Sequence, residues 1–168
     1  MKIVISLGGS IIVPDKINTS FLKRFSNLIK KYKRKHRFQI VCGGGSTARK
    51  YAKAAKKLNL TDNQAHRIGI AATHLNAKML SELLGGTFSS AHPKRLGKKS
   101  GLVVSGGYKP GWTTDMDAAL IAKSMNADML INLTDVKGVY TKDPNRYSDA
   151  KFLPEVSWEK LFDILGTD

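Results

Sequence analysis

The sequence has few of the features that would place a protein outside the cell or in a membrane. It contains a single cysteine, Cys42, so it forms no internal disulfide, and this is typical of a reducing, intracellular setting. No stretch approaches the roughly 20 consecutive apolar residues that span a bilayer. The N-terminus lacks the charged region, apolar core and cleavage site of an export signal. We therefore expect a cytoplasmic protein with no membrane partner.

Acidic residues are also scarce, with 13 Asp and Glu against 28 Lys and Arg, which gives a net charge of +15. Such a charge favours polyanions in general. The densest basic run, residues 30–37, fits either the solvated end of a helix, where cations suit the helix dipole, or a contact patch for nucleic acid. A second cluster, Lys94, Arg95, Lys98 and Lys99, is predicted to lie in a loop.

The order of apolar patterns predicts an α/β fold. Strands alternate with helices, which favours parallel βαβ units in one domain, and 168 residues suffice for a buried core. The predicted strands are 2–7, 38–42, 102–105 and 129–133. Helices are predicted over residues 20–35, 64–84 and 115–125, with another directly after the triple glycine and a last one capped by Ser157. The helix after the triple glycine has one apolar face, made of Ala48, Tyr51, Ala52, Ala55 and Leu58. The apolar face of helix 64–84 consists of Ile68, Ala71, Ala72, Leu75, Met79 and Leu83, and that of the last helix consists of Trp158, Leu161, Phe162 and Leu165.

Three glycine-rich turns, residues 8–10, 43–47 and 106–115, each follow a short apolar run. In parallel sheets ligands bind beyond the carboxyl ends of the strands, and bare backbone amides approach phosphate closely. We expect Ser46 or Thr47 to cap the following helix, which would leave amides free for an anion. None of these turns matches the Walker pattern or Gly-x-Gly-x-x-Gly. They predict a site for phosphorylated ligands.

A fourth motif, residues 133–144, runs from a strand through Thr-Asp-Val-Lys-Gly-Val-Tyr-Thr to an Asp-Pro break; it fits a simple hairpin or one wall of a nucleotide pocket. Together with Gly-Gly-Gly-Ser-Thr-Ala-Arg (43–49) and Gly-Gly-x-x-Pro-Gly-x-Thr-Thr-Asp (106–115), it resembles the amino-acid kinase superfamily, most closely its UMP kinases of the archaeal type. The resemblance covers about residues 1–165. It implies a three-layer αβα sandwich with a mainly parallel central sheet, in which residues 1–125 bind the acceptor and 126–168 begin the ATP-binding portion.

The resemblance implies transfer of the γ-phosphoryl group of ATP to UMP, giving UDP and ADP for pyrimidine nucleotide biosynthesis. It implies Mg²⁺ held through the nucleotide phosphates, with no protein ligand assigned, and a homo-oligomer, which is a hexamer in that family. Asp115 and Arg49 are the implied catalytic residues. The residues implied to bind ATP are Gly9, Ser10, Gly45, Arg49, Thr134, Asp135, Tyr140 and Asp143. Those implied to bind UMP are Gly44, His66, Tyr108, Lys109, Pro110, Gly111, Trp112, Thr113 and Thr114.

The chain departs from the family pattern at three residues and in length. Ser6 stands where many superfamily members carry a lysine, and His66 stands where an acidic residue contacts the UMP ribose. Lys137 replaces an acidic residue beside the expected ATP site. Family members continue for about fifty more residues, so we expect the fold to be incomplete at its C-terminal end. Three alternatives stay open: another small-molecule kinase of this fold, a truncated nucleotide-binding module without catalysis, and a nucleic-acid-binding protein.

Overall fold

The computed structural model describes residues 1–142, 144, 146–157 and 160, which fall into two compact units, 1–133 and the described residues from 134 onward. The first unit contains a five-stranded sheet in which every pairing is parallel, with the order β3-β4-β2-β1-β5. Its strands are β1 Lys2–Leu7, β2 Arg37–Cys42, β3 Thr87–Phe88, β4 Val103–Ser105 and β5 Met129–Leu133.

Six helices connect these strands: α1 Gly9–Ile12, α2 Thr19–Tyr32, α3 Gly45–Lys57, α4 Asp62–Leu84, α5 Pro93–Leu96 and α6 Thr114–Met125. Local chemistry sets their ends. Thr61 and Gln64 form a capping box at the start of α4, and Gly85, with φ +60°, ends that helix in the left-handed conformation that glycine adopts without strain. In the second unit, β6 Val139–Tyr140 pairs antiparallel with β7 Phe152–Leu153.

The sheet buries an apolar cluster on each face, as expected for three layers. Alternate residues of β1 divide between the faces: Ile3 and Ile5 pack with α2 and α4, whereas Val4 packs with α5 and α6. The expected αβα sandwich with a mainly parallel sheet is therefore confirmed in the described residues. None of the helices in this part of the chain is long and apolar enough to cross a membrane.

The strand register brings the glycine turns to one edge of the sheet. Leu7 lies opposite both Cys42 and Leu133, so β1, β2 and β5 end at the same level. The turns that follow β1 and β2 therefore start side by side. Cys42 is fully buried at this level and free, and burial raises the pKa of its thiol, so it is an inert core residue.

The predicted apolar faces of α3 and α4 are partly wrong. Tyr51, Leu58 and Leu75 are 59%, 72% and 63% exposed. The core side of α4 instead includes polar Thr73 and Asn76, which satisfy backbone groups: Asn76 Nδ2 donates to the Gly43 carbonyl at 2.8 Å. These polar residues share the buried side of α4 with Ala77, Leu80 and Leu84, so apolar periodicity alone could not identify the whole face.

Three local predictions also need correction. Gly44 takes the N-cap position of α3 without a side-chain bond, so neither Ser46 nor Thr47 caps it. The Ser46 amide and hydroxyl are already used by the carbonyls of Val13 and Asp15. The cluster predicted as a loop contains the one-turn helix α5, and α1 and β3 were not predicted.

At the other end of the chain, Lys160 donates its amide to Ser157 Oγ at 3.2 Å, as expected for the predicted cap. The apolar residues predicted for that helix, Trp158, Leu161, Phe162 and Leu165, lie outside the described residues.

We expect Gly9→Ala to destabilise the chain strongly. A Cβ at Gly9 would overlap the backbone nitrogen of Gly45 and lie 2.7 Å from the carbonyl carbon of Gly43, so backbone would have to move. Overpacking of this kind costs about 3 kcal/mol. Chemical denaturation measures the loss.

Gly69→Ala is the matched control, because a Cβ at Gly69 meets nothing within 4 Å. In this helical position alanine is expected to stabilise by about 0.5–1 kcal/mol. Equal unfolding free energies for the two variants would contradict the close backbone packing.

Candidate active site

The carboxyl edge of the sheet begins with a contact between two stretches of glycine backbone. Gly9, which opens α1, packs directly on Gly43 and Gly45 after β2. Gly45 has φ +62°, a conformation that glycine adopts without strain. The Gly8 amide donates to the Leu133 carbonyl at 2.7 Å, which ties this turn to β5. The first two glycine turns therefore form one backbone surface, as the sequence predicted.

Beside this surface lies a cavity of about 460 Å³ between α3, α4, the third glycine turn and the start of α6. Its volume falls within the range of about 300–1,000 Å³ typical of small-molecule sites. Its lining residues are Gly44, Ala48, Arg49, Ala52, Ala65, His66, Gly69, Ile70, Thr73, Gly107, Lys109, Pro110, Gly111, Trp112, Thr113 and Thr114. Every UMP-site residue predicted above is therefore in the lining except Tyr108.

The charge of the lining favours an anion. Arg49 and Lys109 are its two basic side chains, and no Asp or Glu contributes to it. The N-terminus of α6 also meets the cavity through Thr113 and Thr114, and Thr113 Oγ1 accepts from the Met116 amide at 3.1 Å. A helix N-terminus adds positive potential to that of the two cations.

The part of the third glycine turn that precedes α6, residues 106–113, is called the acceptor loop from here on. Hydrogen bonds hold the base of this loop at two successive residues, Gly107 and Tyr108. The Gly107 amide donates to Thr73 Oγ1, and the Gly107 carbonyl lies 2.8 Å from His74 Nε2. The Tyr108 amide donates to Asp117 Oδ2 at 3.0 Å. Tyr108 itself is outside the lining and stacks edge-on with His92, with ring centroids 4.8 Å apart.

Asp115 lies at the same edge, in the first turn of α6. It accepts a hydrogen bond from the buried hydroxyl of Ser6 at 2.5 Å. The Asp115 carboxylate is therefore oriented by a neutral hydrogen-bond donor, the Ser6 hydroxyl. The carboxylate itself is solvent-exposed, where a reacting group can reach it.

Asp117 is the most unusual carboxyl group of this edge, and the sequence analysis missed it. It is 1% exposed, and Oδ1 makes no hydrogen bond to the described residues. Burial raises the pKa of Asp117 to about 6, against the opposing effect of the hydrogen bond from the Tyr108 amide. A charged group in the first turn of a helix is ordinary, so the sequence carried no signal that this one is buried.

Other predicted residues have different surroundings. Arg49, expected at the ATP phosphates, lines the cavity together with His66, and its Nη2 lies 3.4 Å from the Pro14 carbonyl. Asp143 lies outside the described residues. In the second unit, Thr134 Oγ1 donates to Asp135 Oδ1 at 3.2 Å, and the Tyr140 ring packs edge-on against Phe152.

Only His66 was predicted from the α4 wall of the cavity, although the sequence carries a signal for the rest of this wall. His66, Gly69, Ile70 and Thr73 follow one another at helical spacing and form a single face. Five residues that the sequence assigned to the core line a separate groove between α3 and α4 together with Thr47: Tyr51, Ile68, Ala71, Ala72 and Leu75. The homo-oligomeric state implied by the family resemblance stays a prediction.

Comparison with known proteins gives a consistent result. Residues 1–167 match the model of the amino acid kinase family. The uridylate kinase of Thermoplasma volcanium is 43% identical over 170 residues, which cover 98% of this chain and 70% of that protein. The uridylate kinase of Methanocaldococcus jannaschii is 38% identical, over 98% and 76% of the two chains. The solved uridylate kinase from Archaeoglobus fulgidus has a TM-score of 0.85 at 34% identity, over 100% of this chain and 80% of that chain.

Asp117→Asn is expected to stabilise the chain in a pH-dependent manner. The pKa of Asp117 is raised from 3.8 in the unfolded chain to about 6, so the folded state holds the proton more tightly. Wild-type stability therefore falls as pH rises from about 4 to about 6, by about 3 kcal/mol in total. The asparagine lacks this titration. The difference in unfolding free energy, variant minus wild type, should grow over that window and stay constant above it.

Asp128→Asn is the control, because Asp128 is exposed and also accepts a backbone N–H, that of Lys2. In a chain of net charge +15, loss of an exposed carboxylate should give no gain in stability. A gain of similar size and pH profile in both variants would mean that burial of Asp117 is not the cause.

Proposed function

The chain belongs to the amino acid kinase family, and on this premise we propose that it transfers the γ-phosphoryl group of ATP to UMP, giving UDP and ADP. The observation that carries the proposal is the cavity: it holds two cations, no carboxylate and a helix N-terminus, and it is lined by the residues expected to bind the acceptor. The names of the related proteins, uridylate kinases, support the same acceptor.

In the proposed reaction, UMP occupies the cavity with its phosphate toward Arg49 and the N-terminus of α6. A phosphate oxygen of UMP attacks the γ-phosphorus, and the bond to the bridging oxygen of the departing ADP breaks. Such a transfer depends on positioning and charge neutralisation more than on a protein nucleophile. Arg49 offers a planar pair of donors to phosphate oxygens, and Lys109 adds a second positive charge.

Asp115, oriented by Ser6, is proposed to organise the transfer centre at the edge of the cavity. Gly9, Ser10 and Gly45 are proposed to present backbone to the ATP phosphates, and Thr134, Asp135 and Tyr140 to contact the adenosine. Mg²⁺ would enter with the ATP phosphates and neutralise part of their charge.

The proposal predicts ADP release that depends on UMP. The purified chain is incubated with ATP, Mg²⁺ and each of UMP, CMP, AMP and GMP, and ADP is measured. We expect turnover with UMP at least tenfold above that with the other acceptors, because the related proteins are uridylate kinases.

Each other result has a distinct meaning. Turnover with a different acceptor would replace UMP by another small-molecule substrate, and His66 in the lining gives such a result a structural basis. UMP binding without turnover would leave a nucleotide-binding module.

The assigned roles predict that Arg49→Ala and Asp115→Asn each lower kcat by about a hundredfold or more, since each removes a charged group from the transfer site. Steady-state rates at saturating UMP and ATP measure the effect, and circular dichroism checks that the variants fold. Arg67→Ala is the matched control for Arg49, because Arg67 is exposed on α4 and does not line the cavity. Wild-type rates in Arg49→Ala and Asp115→Asn would remove these residues from the mechanism.

A further inference from the structure

We propose that Asp117 is a positioning residue for the acceptor: its carboxylate holds the base of the acceptor loop so that residues 109–113 stay against the cavity. The inference rests on the proposed function for the identity of the ligand, UMP. Its structural part, the control of the loop by Asp117, can be tested without any substrate.

The geometry makes Asp117 the anchor from the α6 side. Thr73 and His74 hold Gly107 from α4, and Asp117 holds the next amide, that of Tyr108, from the first turn of α6. The acceptor loop therefore leaves the sheet between α4 and α6, and side chains of both helices form hydrogen bonds to its backbone. The cavity-lining part of the loop begins at the following residue, Lys109.

The base of the acceptor loop packs closely against α4 at Gly106. A Cβ at Gly106 would lie 2.7 Å from His74 Cδ2 and would overlap Thr73 Oγ1. The direction in which the chain continues from Gly107 is then decided by the Tyr108 amide and its acceptor. Removal of that acceptor leaves a partly buried donor without its hydrogen-bond partner, which favours another loop conformation.

The surroundings of Asp117 indicate a role other than stability. Its neighbours along α6, Ala118 and Ile121, are fully buried in an apolar cluster, and Asp117 itself is only 1% exposed. Burial raises the pKa of Asp117 to about 6, so at neutral pH the ionised group opposes folding. Groups that cost stability beside a cavity are typical of functional sites.

The ionisable groups around this anchor give the charged carboxylate no direct partner among the described residues. His74 contacts the Gly107 carbonyl, Asp115 takes its hydrogen bond from Ser6, and the Tyr108 ring stacks on His92. Asp117 thus accepts its hydrogen bond from the Tyr108 amide of the loop. The carboxylate binds that amide more strongly than the neutral acid does.

The first experiment follows the loop in the free protein by NMR and hydrogen exchange. The Tyr108 amide resonance should titrate with a midpoint near pH 6 in the wild type and should lose that titration in Asp117→Asn. In Asp117→Val, which removes the acceptor, the Gly107 and Tyr108 amides should exchange at least tenfold faster, while amides of β1 keep their wild-type rates. Unchanged exchange and an unchanged titration would overturn the proposal.

The second experiment measures UMP kinetics at saturating ATP and pH 7.5. We expect Asp117→Val to raise the KM for UMP about tenfold, with kcat and the KM for ATP changed less than threefold. Asp117→Asn keeps a neutral acceptor for the Tyr108 amide and should raise the KM about threefold. Asp128→Asn, which alters a carboxylate–amide bond at the opposite edge of the sheet, should leave all three constants unchanged.

The outcomes separate this inference from the proposed function. If both Asp117 variants keep the wild-type KM for UMP, the residue is merely structural and the proposal is wrong. If the wild type neither binds nor turns over UMP, the proposed function fails, and the amide titration and exchange rates still decide the loop anchor. If Asp117→Val does not fold, Asp117→Asn decides both experiments.

Discussion

The candidate site depends on one close contact between backbones, that of Gly9 with the turn from Gly43 to Gly45. Side chains at these positions would hold the first two strand ends apart, because a Cβ at Gly9 or Gly43 would run into the other turn. Parallel pairing alone brings strand ends to the same edge, but about 4.8 Å apart in the sheet, with side chains free to fill the space above. Their absence creates a surface of bare peptide groups beside the cavity.

An anionic substrate can bind beside this surface only if the charged groups around it do not form ion pairs with one another. The two cations of the cavity, Arg49 and Lys109, lie on α3 and on the acceptor loop, whereas the carboxylates of α6 are held elsewhere. Asp115 is paired with the Ser6 hydroxyl, and Asp117 is buried with the Tyr108 amide. An ion pair between these groups would cancel the positive potential that an anionic substrate requires. Neutral hydrogen-bond donors thus keep both signs of charge available at the same edge.

The sequence predicted an element of the structure correctly where a local sequence pattern is compatible with only one backbone conformation. Four of the five parallel strands, the glycine turns that follow β1, β2 and β4, and the end of α4 at Leu84 follow directly from apolar runs and from backbone freedom, and each was predicted. The face of α4 was not, because Thr73 and Asn76 are buried to serve backbone groups that no sequence pattern identifies. Asp117 was missed for the same reason: its partner, the Tyr108 amide, is nine residues away in a loop whose path only the fold determines.

The large positive charge of the chain has a structural role that is separate from the site. Arg37, at the start of β2, donates to the carbonyls of Gly97 and Lys99, so the two basic runs meet at the amino edge of the sheet. Lys33 donates to the Leu84 carbonyl at 2.8 Å and so satisfies the C-terminal end of α4. The length of β2 puts about 17 Å between this edge and the cavity, which exceeds the screening distance of about 8 Å at physiological salt. The two basic runs therefore contribute little to the potential at the cavity, where Arg49 and Lys109 are the basic residues that contact an anion most directly.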